Sequence, residues 1–295
     1  MVISFSAVSQ EGQPTIFTEM GKGPGLFSDI GKKAKDLLTK DYNYDHKFTV
    51  TTYSETGLAF TSTGLKKGES FLGDLKTEYK YQNATVDVKV DTNSTISTNI
   101  TLDQFVPHAK TVFSFKIPDQ KSGKVDLQYL HDNVGLSSSI GLTPTPIAEF
   151  SAALGTGEYS LGGELAFDTA SGAFTKYSAG VGVSKPEFSA AVILTDKGDT
   201  VKASYIHLVN PVTKTTVAAE ITHKISKNEN TFTVGSSHFV DHLTTMKTRV
   251  NNQGKLGALL QHEWRPKSLI TISGEVDTKA LDKNAKIGLA LALKP

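Results

Sequence analysis

From about Asp45 to its end, the chain repeats one pattern: short runs of alternating apolar and polar residues, separated by turn residues. Phe48 and Val50 alternate with Lys47, Thr49 and Thr51. Val86, Val88 and Val90 alternate with Asp87, Lys89 and Asp91. Val125, Leu127 and Tyr129 alternate with Lys124, Asp126 and Gln128. Leu161, Leu165 and Phe167 follow the same rule, and Phe188, Ala190, Val192 and Leu194 form a clean apolar face. A two-residue period sends successive side chains to opposite faces of a β-strand. The last run is the sharpest. Ile287, Leu289, Leu291 and Leu293 take one face, and Gly288, Ala290 and Ala292 the other. Bulky aliphatics on one side and tiny residues on the other suit a sheet with hydrocarbon outside and an open interior. An ordinary terminal strand of a soluble sheet is the competing reading.

Turn signals recur between the runs, at Glu55-Thr56-Gly57, Thr92-Asn93-Ser94, Ser171-Gly172, Lys197-Gly198-Asp199 and Asn251-Asn252-Gln253-Gly254. Their spacing of roughly 13 residues fits strands of about 9 to 11 residues joined by tight turns, and so about 19 strands. That exceeds the seven to nine strands of a sandwich. No blade-length repeat points to a propeller, and Trp264 is the only tryptophan. No Pro/Ser-rich linker divides the chain, so the pattern predicts one closed sheet.

One helix precedes the strands. Leu26, Phe27, Ile30, Ala34, Leu37 and Leu38 share a face at helical spacing, opposite Ser28, Asp29, Lys32, Lys33, Lys35 and Asp36. Pro24 and Gly25 punctuate its start, so a single helix is expected over 26–38. Three roles fit: a soluble helix capping a sheet, an interfacial membrane anchor, or a plug lying against the inner wall of a wide barrel. Residues 1–22 read as a flexible extension, and 23–295 as one barrel unit with its helix. Met1 to Glu19 contains no Lys or Arg, which removes the charged start of a signal peptide.

Composition narrows the classes. The 31 basic and 30 acidic residues nearly cancel, which argues against a dedicated nucleic-acid binder. The absence of cysteine excludes disulfide frameworks and thiolate metal sites. No apolar run approaches a membrane-spanning helix. A mean hydropathy of -0.21 would disqualify a helical membrane protein but is expected of a barrel, where lipid-facing residues alternate with polar ones. No phosphate loop, dinucleotide fingerprint, nucleophile elbow or His-Glu-x-x-His pair occurs, and His238 and His242 lie in a β stretch. Neither an enzyme nor a cofactor is expected. The remaining candidates are lysines. Lys47, Lys89, Lys110 and Lys124 lie on the polar faces of alternating strands; in a soluble protein they are solvated surface, and in a barrel they line the lumen and favour anions.

The residues from about Gly23 to Pro295 resemble the eukaryotic mitochondrial porins, the voltage-dependent anion channels, and most of all their plant members. The helix Leu26 to Leu38 matches the family's N-terminal segment. The family signature reads here His238-x-x-Asp241-His242-x-Thr244-x-x-x-Thr248-Arg249-Val250-Asn251-Asn252, then Gly257-Ala258-x-Leu260, with His242 its one departure. Lys286, Gly288, Leu291 and Leu293 match the terminal sorting strand of mitochondrial outer-membrane barrels.

The resemblance implies an all-β transmembrane barrel of 19 strands in the mitochondrial outer membrane, the first and last strands pairing in parallel near Phe48 and Leu291. It implies voltage-gated, anion-preferring passage of ATP, ADP, phosphate and small metabolites. Membrane lipids, other copies of the chain and kinases at the cytosolic rim are its implied partners. Asp29, Lys32, Lys33, Lys35, Asp36 and Lys40 would belong to the helix that narrows the pore and influences selectivity and gating. A nucleotide-contacting Gly-Leu-Lys element falls at His108-Ala109-Lys110. A regulatory lipid-facing glutamate of animal members aligns with Val88, so that role does not carry over. The family's glycine-rich hinge is replaced by Asp41-Tyr42-Asn43-Tyr44-Asp45, which predicts a stiffer connection. A related protein-import barrel and a soluble all-β binding protein are the alternatives.

Overall fold

The computed structural model describes residues 23–104, 106–119, 121–280 and 285–294. The extension expected over 1–22 lies outside the described residues.

Nineteen strands form one sheet. They begin with β1 (His46–Tyr53), β2 (Leu58–Lys67), β3 (Ser70–Tyr81), β4 (Ala84–Asp91), β5 (Ile96–Asp103) and β6 (Ala109–Ile117). There follow β7 (Lys124–Leu130), β8 (Val134–Gly141), β9 (Ile147–Gly155), β10 (Tyr159–Asp168), β11 (Ala173–Ser184), β12 (Phe188–Thr195) and β13 (Thr200–Asn210). The set ends with β14 (Thr215–Lys224), β15 (Glu229–Phe239), β16 (Thr244–Asn251), β17 (Lys255–Arg265), β18 (Ser268–Asp277) and β19 (Lys286–Leu293). Each strand pairs antiparallel with the next. β1 and β19 pair in parallel, with Phe48 directly opposite Leu291, and this seam closes the barrel. The lower mouth is the end at which β1 starts, and the upper mouth is where both β1 and β19 finish.

Residues paired across a ladder share a face, so the register sorts every strand into an outer and an inner set. Phe60, Leu75, Val90, Phe113, Leu127, Phe150, Leu161 and Val192 all point outward and are exposed. In water this continuous apolar surface would far exceed the few hundred Å² a soluble monomer shows. Strands of about 10 residues, tilted about 40°, give it the roughly 25 Å height of a lipid-facing band. No helix among the described residues is long and apolar enough to cross a membrane; the strands make the crossing.

The N-terminal segment lies inside. The helix expected over 26–38 is in two pieces, a 3-10 turn at Phe27–Asp29 and an α-helix, α1, at Lys32–Thr39. Gly31 separates them in the left-handed conformation, φ +75°, which only glycine adopts without cost. Each piece buries its own apolar cluster. Phe27 and Ile30 pack with Ala153, Ala191 and Ile193. Ala34, Leu37 and Leu38 pack with Ile206 and Ala218. Of the three roles open to this amphipathic segment, the structure takes the third, with the apolar stripe against the inner wall.

Candidate pore-lining site

A track of small residues receives the segment. At inward positions where the other strands carry polar side chains, β8 has Gly135, β9 Ala153, β10 Gly162, β11 Gly180 and Gly182, β14 Ala218 and β15 Gly235. A Cβ on Gly162 would meet Phe27 Cδ2 at 2.9 Å, one on Gly182 would meet Ile30 Cγ2 at 3.2 Å, and one on Gly235 would meet Leu38 Cδ2 at 2.7 Å. The track begins at the upper mouth, where Gly23 lies against the carbonyls of His131 and Asp132, and descends around the wall.

The segment's lower end is held by charge. α1 stops at Lys40, and Asp41 takes a left-handed conformation, φ +73°. Aspartate tolerates this better than most residues, so the turn a glycine hinge would make is made without glycine. The Asp41 carboxylate meets Lys247 of β16 at 3.2 Å. Arg249, two residues on, donates through Nη1 to the Leu38 carbonyl (2.8 Å) and through Nη2 to the Tyr44 hydroxyl (2.7 Å) and Glu275 (3.0 Å). Its guanidinium lies 4.3 Å from the centre of the Tyr42 ring, within cation–π range. Tyr44 donates its own proton to Glu275 at 2.8 Å, and Ser273 donates to the Asn43 carbonyl. Burial pushes the phenols of Tyr42 and Tyr44 up to about 12, and for Tyr44 the bond to Glu275 acts in the same direction.

The polar face of α1 looks into the lumen. Lys32, Lys35 and Lys40 are exposed, and Asp36 is half-buried. Lys33 leans toward the wall and donates to Ser184 at 2.8 Å, its ammonium pKa lowered by burial. Asp29 accepts from the Leu26 amide at 3.0 Å and pairs with Lys32 at 3.3 Å. On the wall, Lys47, Lys89, Lys110 and Lys124 all sit on the inner face. Three of them are ion-paired: Lys89 with Asp74 (3.2 Å), Lys110 with Asp103 (3.7 Å), and Lys124 with Asp126 (3.1 Å) and Glu149 (3.7 Å). Lys76 bridges Glu78 and Asp87, and Lys176 meets Glu164. Lys47, Lys80, Lys116 and Lys202 face the lumen with no ion pair among the described residues, and away from the turns Glu220 is the one inner-face carboxylate in the same state.

The family model for eukaryotic porins matches residues 23–288. The chain belongs to that family. It is 62% identical to the mitochondrial outer membrane protein porin of 36 kDa from Solanum tuberosum over 276 residues, 94% of this chain and all of the relative. Over the same shares it is 56% identical to the outer plastidial membrane protein porin of Pisum sativum and 55% identical to mitochondrial outer membrane protein porin 4 of Arabidopsis thaliana. Among solved structures, a mutant of the Rh. blastica porin is similar at a TM-score of 0.47 and 9% identity, over 74% of this chain and 88% of its own.

Arg249 belongs to the porin signature, whose other residues run from the end of β15 along β16 and its two turns to the start of β17. Thr248 faces Ser236 at 2.9 Å, and Asn251 and Asn252 shape the turn into β17. Asp241 accepts from the Leu243 amide and the Thr244 hydroxyl at the opposite turn. In β19, Leu291 and Leu293 lie on the lipid face and Gly288 on the lumen face, its Cα hydrogens against the Asn43 carbonyl. The pattern of alternation does not single out Arg249, Lys247, Asp41, Tyr42, Tyr44 or Glu275. The nearest signal is a basic pair, Lys247 and Arg249, on one face of a strand that ends in the family motif.

Proposed function

We propose that this porin is a voltage-gated, anion-preferring diffusion channel of the mitochondrial outer membrane, passing ATP, ADP, phosphate and small metabolites. A barrel of 16 to 18 strands already encloses an aqueous channel, and this one has 19. The contacts that dock the segment lie on β8–β19 and on the turn before β8, so it narrows the lumen from that side. The observation that carries the anion preference is the uneven pairing of luminal charge: Lys47, Lys80, Lys116 and Lys202 against Glu220. Lys35 and Lys40 of the segment, set against Asp36, add to the excess. Rings of basic side chains raise the local concentration of anions, and Lys110 on β6 is a candidate nucleotide contact. No covalent step is needed. Voltage acts on charge moved through the field, about 2.3 kcal/mol per charge per 100 mV, so a few segment lysines moving partway suffice to shift an open–closed equilibrium.

The alternatives fare worse. A soluble binding protein would not carry the outer apolar band, and family membership sets aside the import barrel. The test is single-channel current from purified protein in a planar lipid bilayer under a salt gradient. Large anion-preferring steps that fall at either polarity are expected. A cation-preferring reversal potential, or no steps from folded protein, would defeat the proposal.

A further inference from the structure

We infer that Arg249 is the positioning residue of the pore segment, and that loss of its bonds to the segment is the first event when the segment leaves the wall. The inference rests on the voltage-gating reading above for its electrical readout. Arg249, Gly257 and Glu275 are in register on β16, β17 and β18. Gly257 has no side chain to block the way. A Cβ there would lie 3.0 Å from Arg249 Nε and 3.1 Å from its Cγ. The arginine therefore crosses the middle strand and meets Glu275, which fixes its head against the wall.

From that fixed point it holds three parts of the segment at once: the Leu38 carbonyl at the end of α1, the Tyr42 ring and the Tyr44 hydroxyl. The carbonyls in the last turn of a helix lack intrahelical partners and carry the negative end of its dipole, so a cation there is doubly suited. α1 has eight residues, too few to persist without tertiary support. Its apolar contacts lie on a smooth track of Gly and Ala and are not directional, so they allow sliding. The bonds of a planar guanidinium are directional and do not. Displacing the linker must break the Lys247–Asp41 pair, the Ser273 bond to the Asn43 carbonyl and the Tyr44–Glu275 bond as well, but only the contacts of Arg249 join the end of α1, Tyr42 and Tyr44 through one side chain.

The test separates position from charge. Tyr44→Phe removes the hydroxyl that accepts from Arg249 and donates to Glu275, and leaves the direct Arg249–Glu275 pair and every luminal charge in place. In planar bilayers its open-state conductance and reversal potential should match those of the unaltered chain, while the closed-to-open ratio at a fixed voltage rises roughly thirtyfold, the effect of two lost hydrogen bonds. Arg249→Lys, which also keeps the charge but loses the fork, should give a larger shift in the same direction. The chain has no cysteine, so Ala34→Cys with Ala218→Cys, two positions in one buried cluster, offers a single disulfide between α1 and the wall. Oxidising that pair in the Tyr44→Phe background should abolish the shift, and reduction should restore it. The yield of this disulfide before oxidation is complete gives a readout independent of voltage, and it should be lower with Tyr44→Phe. Normal voltage closure with both variants, or a shift that persists in the locked protein, overturns the inference. Absence of voltage closure in the unaltered chain overturns the gating proposal instead; the disulfide yield then decides whether Arg249 positions the segment.

Discussion

Lys247 is 3% exposed, and its ammonium lies 3.2 Å from the carboxylate of Asp41, the left-handed residue just past the end of the pore helix. One residue thus supplies both the bend and the counter-charge for a lysine that has left water. A buried cation is tolerated only when it is paired.

Replacing Asp41 with asparagine keeps the tolerance for a left-handed backbone and removes only the charge. Breaking a fully buried pair costs about 3 to 5 kcal/mol, and Asp41 is partly wet, so a loss of about 2 kcal/mol is expected. Thermal unfolding in detergent measures it. Adding Lys247→Met should recover most of the loss, because the uncompensated cation is then gone. Equal stability of the single and double variants would count against the pair.

Selectivity should follow unpaired charge. Lys47→Gln removes a luminal cation that has no ion pair and should move the reversal potential in a salt gradient toward zero. Lys89→Gln combined with Asp74→Asn removes both members of the 3.2 Å pair and should leave the reversal potential near that of the unaltered channel. Equal shifts from the two variants would mean that pairing does not govern the field the permeant ions feel.

The small-residue track can be tested at Gly182. A Cβ there meets the Ser160 hydroxyl at 2.8 Å and Ile30 Cγ2 at 3.2 Å, so a larger side chain presses on the segment while its backbone neighbours stay clear. Gly182→Leu should leave strand content unchanged by circular dichroism and displace Ile30 from its cluster. Overpacking of this kind costs about 1 to 3 kcal/mol. In channel recordings the expected result is closure at lower voltage, and unchanged closure would place Ile30 outside the moving part.

Alkaline pH should loosen the docked linker. The phenols of Tyr42 and Tyr44 are pushed from the usual 10 up to about 12, first by burial. A group whose pKa is raised in the docked state stabilises that state fully below its undocked pKa, and the contribution is lost as pH rises through the docked value. Docking should therefore be unaffected below about pH 10 and weaken between about 10 and 12. Tyrosinate absorbance should show Tyr42 and Tyr44 titrating late, and their loss in a Tyr42→Phe, Tyr44→Phe chain should remove that late phase.

The wall of the barrel was legible because its physics is local. Val86, Val88 and Val90 face lipid and Asp87 and Lys89 face the lumen as alternation requires, and the parallel direction of β1 and β19 follows from the family's odd strand number. The interior was less legible because its contacts join distant residues. The break at Gly31 is invisible to a helical periodicity that continues on either side of it. Arg249 reaches Leu38 across 211 positions and depends on a glycine in the strand between it and Glu275. The amphipathic stripe from Leu26 to Leu38 allowed a docked segment, and the inward glycines and alanines from Gly135 to Gly235, which interrupt the polar inner face, show where it docks. The linker at 41–45 contains no glycine; Asp41 alone takes a left-handed conformation there, and the side chains around Arg249 hold the residues that follow.

An odd number of strands leaves the first strand starting in one compartment and the last strand ending in the other. The internal segment cancels that parity. It runs from β1 at the lower mouth back up the lumen to Gly23, beside the β7–β8 turn and at the same mouth as Lys294. Both ends of the described chain therefore face one aqueous compartment. Complete withdrawal of the segment through the lower mouth would carry Gly23 to the other compartment, whereas a partial release would leave it where it is. The side of the membrane from which a label on that end can be reached thus distinguishes a segment that shifts along the wall from one that leaves the pore.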